Sequence, residues 1–199
     1  MKSTETVSYT LTAKVLHWLI AIAIIGMLCL GWSFDYLPRN ETKFALMQLH
    51  KSVGITILLL SLMRLVWRLL HRAPPLPADM PAWEKSAAHI GHFLLYFFMI
   101  AMPLSGWIMV SASAHNIPTI LYGHFPWPSF PGVAGSPDRE QIGRLMNDVH
   151  GYSGFILSVL VVGHIAAALK HHFMSKDDIL LRMAPRGAHR FLNRLRGQS

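Results

Sequence analysis

The sequence predicts an all-α membrane protein, a four-helix transmembrane bundle with both termini on the cytoplasmic side. Composition is the first of three observations behind this: 52% of the 199 residues are apolar and only 14% are charged, too apolar for an ordinary soluble domain. The second is length. Four runs, about Leu11 to Phe34, Met47 to Leu70, Ser86 to Ser111 and Val149 to Phe173, each reach the roughly 20 residues that hydrocarbon requires. The third is charge asymmetry, since thirteen Lys and Arg fall on the side of the amino end, second connection and tail, against five on the other side. Under the positive-inside tendency the richer side is cytoplasmic.

Taken in order, the polar amino end leads into span one, and no small-residue cleavage site follows that run, so it is expected to stay as an anchor. Span two ends at Pro74, Pro75, Pro77 and Pro81, which break the helix and make a short, stiff link to span three. The connection from about Ala112 to Asp148 carries Pro118, Pro126, Pro128, Pro131 and Pro137 among aromatics. A loop of that length is expected to be functional or mobile, either a lid or a plain tether. One unit, residues 1–174, thus holds the spans. The tail, residues 175–199, is basic and offers a short apolar face at Ile179, Leu180, Leu181 and Met183, suited to lying on a membrane surface.

The formal charge of +8 does not indicate nucleic-acid binding, because the basic residues flank apolar runs and form no aromatic-interleaved strip. Cys29 is the single cysteine, which excludes an intrachain disulfide and covalent haem attachment through paired thioethers.

Histidines carry the chemistry. Ligating residues at membrane depth are costly to desolvate and mark interior sites. His150 and His164 lie fourteen residues apart on span four, roughly 21 Å along a helix and only about 40° out of register, so one helix can serve two haems stacked across the bilayer. Depth selects their partners. His17 pairs with His164 in the cytoplasmic layer, and His50 with His150 in the outer layer. Two imidazoles fill both axial positions of haem iron and favour electron transfer over oxygen activation. Gly54 and Gly154 follow their histidines by four residues, leaving on the same helix face either a gap for a flat macrocycle or a place for close helix packing. Arg64, fourteen residues after His50, reaches the cytoplasmic layer, where a haem propionate or the inner surface would take its charge.

His89 and His92 compete with His17 as ligands of the cytoplasmic haem, or contact a membrane quinone. His171 and His172 close span four on the same side, where quinone contact competes with plain surface exposure. A non-haem alternative, a zinc or copper transporter or sensor, is weakened because the fourteen-residue interval cannot place His150 and His164 on one ion.

The chain resembles the bacterial cytochrome b561 family, di-haem four-helix proteins related to the b-type subunits of nickel hydrogenases. The resemblance rests on His17-Trp18-Leu19, His50 with Gly54 and Arg64, His89-Ile90-Gly91-His92, His150, the run Gly163 to Ala168, His171-His172 and the closing Leu180 to Arg186. It implies two non-covalent haem b groups on His17/His164 and His50/His150, with His89, His92, His171 and His172 as quinone candidates in a bacterial inner membrane. It also implies an oxidoreductase passing electrons from an outer donor such as superoxide to ubiquinone. The alternative is a cytochrome b subunit that docks a separate redox enzyme. The longer Pro- and aromatic-rich outer loop and the extended basic tail depart from the family pattern.

Overall fold

A computed structural model of the chain describes residues 8–115 and 117–197, so the polar amino end up to Val7 lies outside it. Four long helices form the bundle: α1 Leu11–Ser33, α2 Glu41–Leu70, α3 Ala82–Ser111 and α4 Arg139–Lys170. All four are long and apolar enough to cross a membrane, and most of their surface faces outward, where lipid rather than protein would contact it.

Local chemistry sets the helix ends. The Thr10 side chain accepts a hydrogen bond from the Ala13 N–H to start α1, and Asn40 accepts one from Lys43 at 2.9 Å to start α2, each satisfying an amide that the first turn leaves unpaired. The helix α2 stops at His71, ahead of the prolines. Lys43 Nζ donates to the carbonyls of Phe34 and Leu37 at 2.7 and 3.2 Å, closing the tight α1–α2 turn.

The helix α4 begins at Arg139 rather than near Val149. Its first turns are polar because they project beyond the apolar run, which is why hydropathy alone places the boundary too late. In sequence order each helix packs on the next, while Trp32 Nε1 of α1 donates to Ser158 Oγ of α4 at 3.3 Å. At the centre Ile20, Ile24, Met27, Ile57, Met99 and Leu157 form one buried cluster. Leu157, only 2% exposed, stands seven residues from both His150 and His164.

The connection between α3 and α4 is neither a bare tether nor structureless. It contains an antiparallel hairpin, β1 Thr119–Leu121 with β2 Phe125–Trp127, turned through Tyr122 and Gly123 at positive φ. Ser52 Oγ of α2 accepts from the Tyr122 N–H at 3.0 Å, and the Tyr122 and Thr56 hydroxyls bond at 2.7 Å. On the α3 side Trp107 Nε1 donates to the Pro128 carbonyl at 2.9 Å, and the Phe130 N–H donates to Ser111 Oγ at 2.8 Å.

Beyond a π-helical turn, His171–Ser175, the tail forms α5 Ile179–Met183, a 3₁₀ turn Arg186–Ala188 and α6 His189–Leu195. It folds back onto the bundle. Lys14 Nζ donates to the Ala184 carbonyl at 3.1 Å, Trp18 Nε1 to Met183 at 3.1 Å, and Ser8 Oγ to Arg182 at 3.0 Å. Of the apolar face read from the sequence, Leu181 is buried, packed into the protein rather than left for a surface.

Candidate functional site

Two histidine layers lie at opposite ends of the bundle, on either side of the central apolar cluster. At the hairpin end the rings of His50 and His150 stand 6.2 Å apart between centres, inclined at 71°. At the tail end His17 and His164 stand 6.1 Å apart, inclined at 72°. An imidazole nitrogen binds a transition metal at about 2 Å, so two rings on opposite sides of one iron have centres roughly 6 Å apart. Both pairs fit that requirement.

The hairpin-end pair opens on a cavity of about 360 Å³. Every long helix contributes a glycine to its lining: Gly31, Gly54, Gly106, and on α4 both Gly151 and Gly154. A Cβ built on Gly54 meets nothing within 4 Å, so this glycine keeps open space beside His50, as a flat macrocycle needs. Gly154 differs. A Cβ there would sit 3.7 Å from Met102 Cε, so this glycine borders the cavity and also admits a side chain of α3. The remaining lining is apolar apart from Asp35, Lys51, Thr119 and the two histidines.

The His150 ring is held from α3. Its Nδ1 lies 3.0 Å from the Met102 carbonyl oxygen, and a carbonyl can only accept, so Nδ1 carries the hydrogen and Nε2 is free for a metal. His50 Nδ1 is buried with no hydrogen-bond partner, leaving a polar atom inside the bundle that a bound group would explain.

At the tail end three histidines gather where sequence depth pairs two. His92 of α3 also faces His164, with ring centres 5.7 Å apart, so His17 and His92 both stand within ligand spacing of it. Arg64 reaches the same layer, and its charge acts on His17, His92 and His164. One of its donors is spent on the Ala13 carbonyl of α1 at 2.8 Å, so it is fixed between α2 and α1 rather than stretched to a surface, with further N–H groups to offer.

The other quinone candidates separate. His89 is exposed on the first turns of α3. His171 bridges two carboxylates, Asp177 at 2.6 Å and Glu84 at 3.4 Å, while Lys170 pairs with Glu84 at 2.6 Å. His172 is not at the surface: it is 0% exposed, and its Nε2 donates to the Leu192 carbonyl at 3.1 Å. The tail covers it.

Sequence reasoning missed Met102, Ser105 and Gly106. The signal was a Pro103-Leu104-Ser105-Gly106 stretch of small and helix-weakening residues inside span three, whose meaning depends on how α3 registers against α4. Among the described residues no group of three or more His, Cys, Asp or Glu converges to hold a single metal ion.

Known proteins include clear relatives of this chain. A family profile described as Prokaryotic cytochrome b561 matches residues 8–186. Cytochrome b561 homolog 2 of Escherichia coli K12 is 34% identical over 177 residues, 88% of this chain and 90% of the relative. Cytochrome b561 homolog 1 of the same organism is 31% identical over 186 residues, 89% and 97%. A Yersinia pestis protein named probable superoxide oxidase CybB is 29% identical over 179 residues, 86% and 92%. With most of its length matched and four apolar helices, the chain belongs to the prokaryotic cytochrome b561 family, membrane electron-transfer proteins that bind b-type haem.

Proposed function

We propose that the protein transfers electrons across the bacterial inner membrane, from an outer donor such as superoxide to ubiquinone. The observation that carries this reading is the pair of histidine layers at opposite ends of one bundle, with matching ring spacings of 6.2 and 6.1 Å. Two b haems, one between His50 and His150 and one between His17 and His164, would supply one-electron transfer. The excess of Lys and Arg on the side of the termini supports an arrangement with both ends cytoplasmic and the hairpin outside.

Superoxide as donor is favoured by the name of the Yersinia pestis relative. Each superoxide gives up one electron and becomes oxygen, and ubiquinone takes two electrons and two protons. Lys51 on the cavity lining is the cation best placed to attract a small anion toward His50. Arg139 shares that side. Arg144 adds less, because its charge is offset by Glu140 at 3.7 Å with both side chains largely exposed. On the inner side His89 and His92 offer rings to a quinone, while His171 is engaged by the carboxylates of Asp177 and Glu84. His172 would have to be uncovered by the tail before it could take part.

A second reading, docking of a separate redox enzyme, draws on the hairpin, which exposes Phe125 and Tyr122 at its turn. Purified protein should carry two b haems per chain, be reduced rapidly by superoxide, and be reoxidised by added ubiquinone. A haem-replete protein inert to superoxide would remove the donor. Co-purification of a redox partner would favour the second reading.

A further inference from the structure

At the hairpin end, α3 and α4 exchange a large and a small residue twice over. Met102 of α3 fills the space left by Gly154 of α4, and one helical turn away His150 of α4 fills the space left by Gly106 of α3. The second fit is the tighter: a Cβ on Gly106 would lie 3.0 Å from His150 Nδ1 and only 2.9 Å from Cε1, the latter a separation that real Cβ atoms essentially never show. The carbonyl receiving the His150 N–H is also shared. Ser105 Oγ, on a residue only 3% exposed, donates to the same Met102 oxygen at 2.7 Å and lies 3.4 Å from His150 Nδ1.

We infer that Gly106 and Ser105 are positioning residues for His150: Gly106 sets where the ring lies, and Ser105 sets how much of the Met102 carbonyl the ring's N–H receives. The redox potential of the hairpin-end centre then depends on a helix that supplies neither of its imidazoles. The physical link is the hydrogen bond behind the ligand. A stronger acceptor at Nδ1–H makes the imidazole more basic and favours the oxidised iron, so hydroxyl competition for the carbonyl raises the potential. The inference rests on the reading of His150 as an axial ligand.

The test uses full-length, haem-loaded protein in detergent, with haem per chain, ferric electron paramagnetic resonance and potentiometric titration as readouts. His150→Ala first assigns the hairpin-end signal by abolishing it. Ser105→Ala is expected to keep wild-type haem content and lower the midpoint of that centre alone. Gly106→Ala is expected to change that centre's resonance and midpoint while the tail-end centre keeps both. Ser105→Ala with an unchanged hairpin-end midpoint, or with both centres shifted equally, overturns the inference, and this holds even if Gly106→Ala fails to assemble. Survival of both low-spin signals in His150→Ala overturns the ligand reading itself.

Discussion

His50 and His150 face each other with ring planes inclined at 71°, close to the 72° between His17 and His164 at the other end. Crossed imidazole planes leave two iron d orbitals nearly equal in energy, whereas parallel planes split them. Both ferric centres should therefore give strongly anisotropic low-spin resonances. A rhombic spectrum of the kind given by parallel imidazoles would show that the rings rotate when haem is bound.

His17 and His92 both stand within ligand spacing of His164, at 6.1 and 5.7 Å. His17 comes from α1, the side on which Arg64 is anchored to the Ala13 carbonyl. Substituting His17 with alanine should cut haem content from two per chain toward one, while His92→Ala should retain both haems in a pyridine haemochrome assay. The opposite pattern would transfer the ligand role to α3 and leave His17 as a neighbour.

Gly54 lines the cavity and a Cβ there meets nothing within 4 Å, so Gly54→Leu places a side chain in the space beside His50. The helical fold should survive, since leucine is the better helix former. Haem at the hairpin end should be lost selectively, which a haem count alongside far-ultraviolet circular dichroism would show.

Tyr122→Phe removes the 2.7 Å bond to Thr56 and keeps the ring. A hydrogen bond of this kind contributes about 1 kcal/mol, so opening of the hairpin should become roughly fivefold more frequent. Hydrogen exchange at the amides of residues 119–127 measures it, and unchanged exchange would mean that the remaining bonds, from Gln48, Ser52, Trp107 and Ser111, hold the connection without it.

The spans and the two histidine layers were legible because they depend on local quantities, namely the length of apolar runs and the rise and turn of a helix between His150 and His164 or between His50 and Arg64. What escaped depends on register between helices. Gly106 reads as an ordinary small residue until α4 is placed against α3, and only then does the contact with His150 emerge. The hairpin escaped for a different reason. Its strands are three residues each and the second contains Pro126, so neither alternation nor length marks them, and it is held by side-chain bonds from Ser52, Thr56, Trp107 and Ser111. His172 reads as exposed because it closes the apolar run just ahead of the polar tail, yet α6 returns to cover it.

The cluster between the two histidine layers has a consequence for ions as well as for packing. Ile20, Ile24, Met27, Ile57, Met99 and Leu157 carry no exchangeable hydrogen on their side chains, so these six offer no stepping stones for a proton hopping from one end to the other, and among the described side chains packed against them only Tyr96 carries one. An electron needs no such relay, so the six side chains hinder the one carrier far more than the other. An electron that passes from one histidine layer to the other without a proton moves net charge along the bundle axis, in the sense set by whichever end meets the donor.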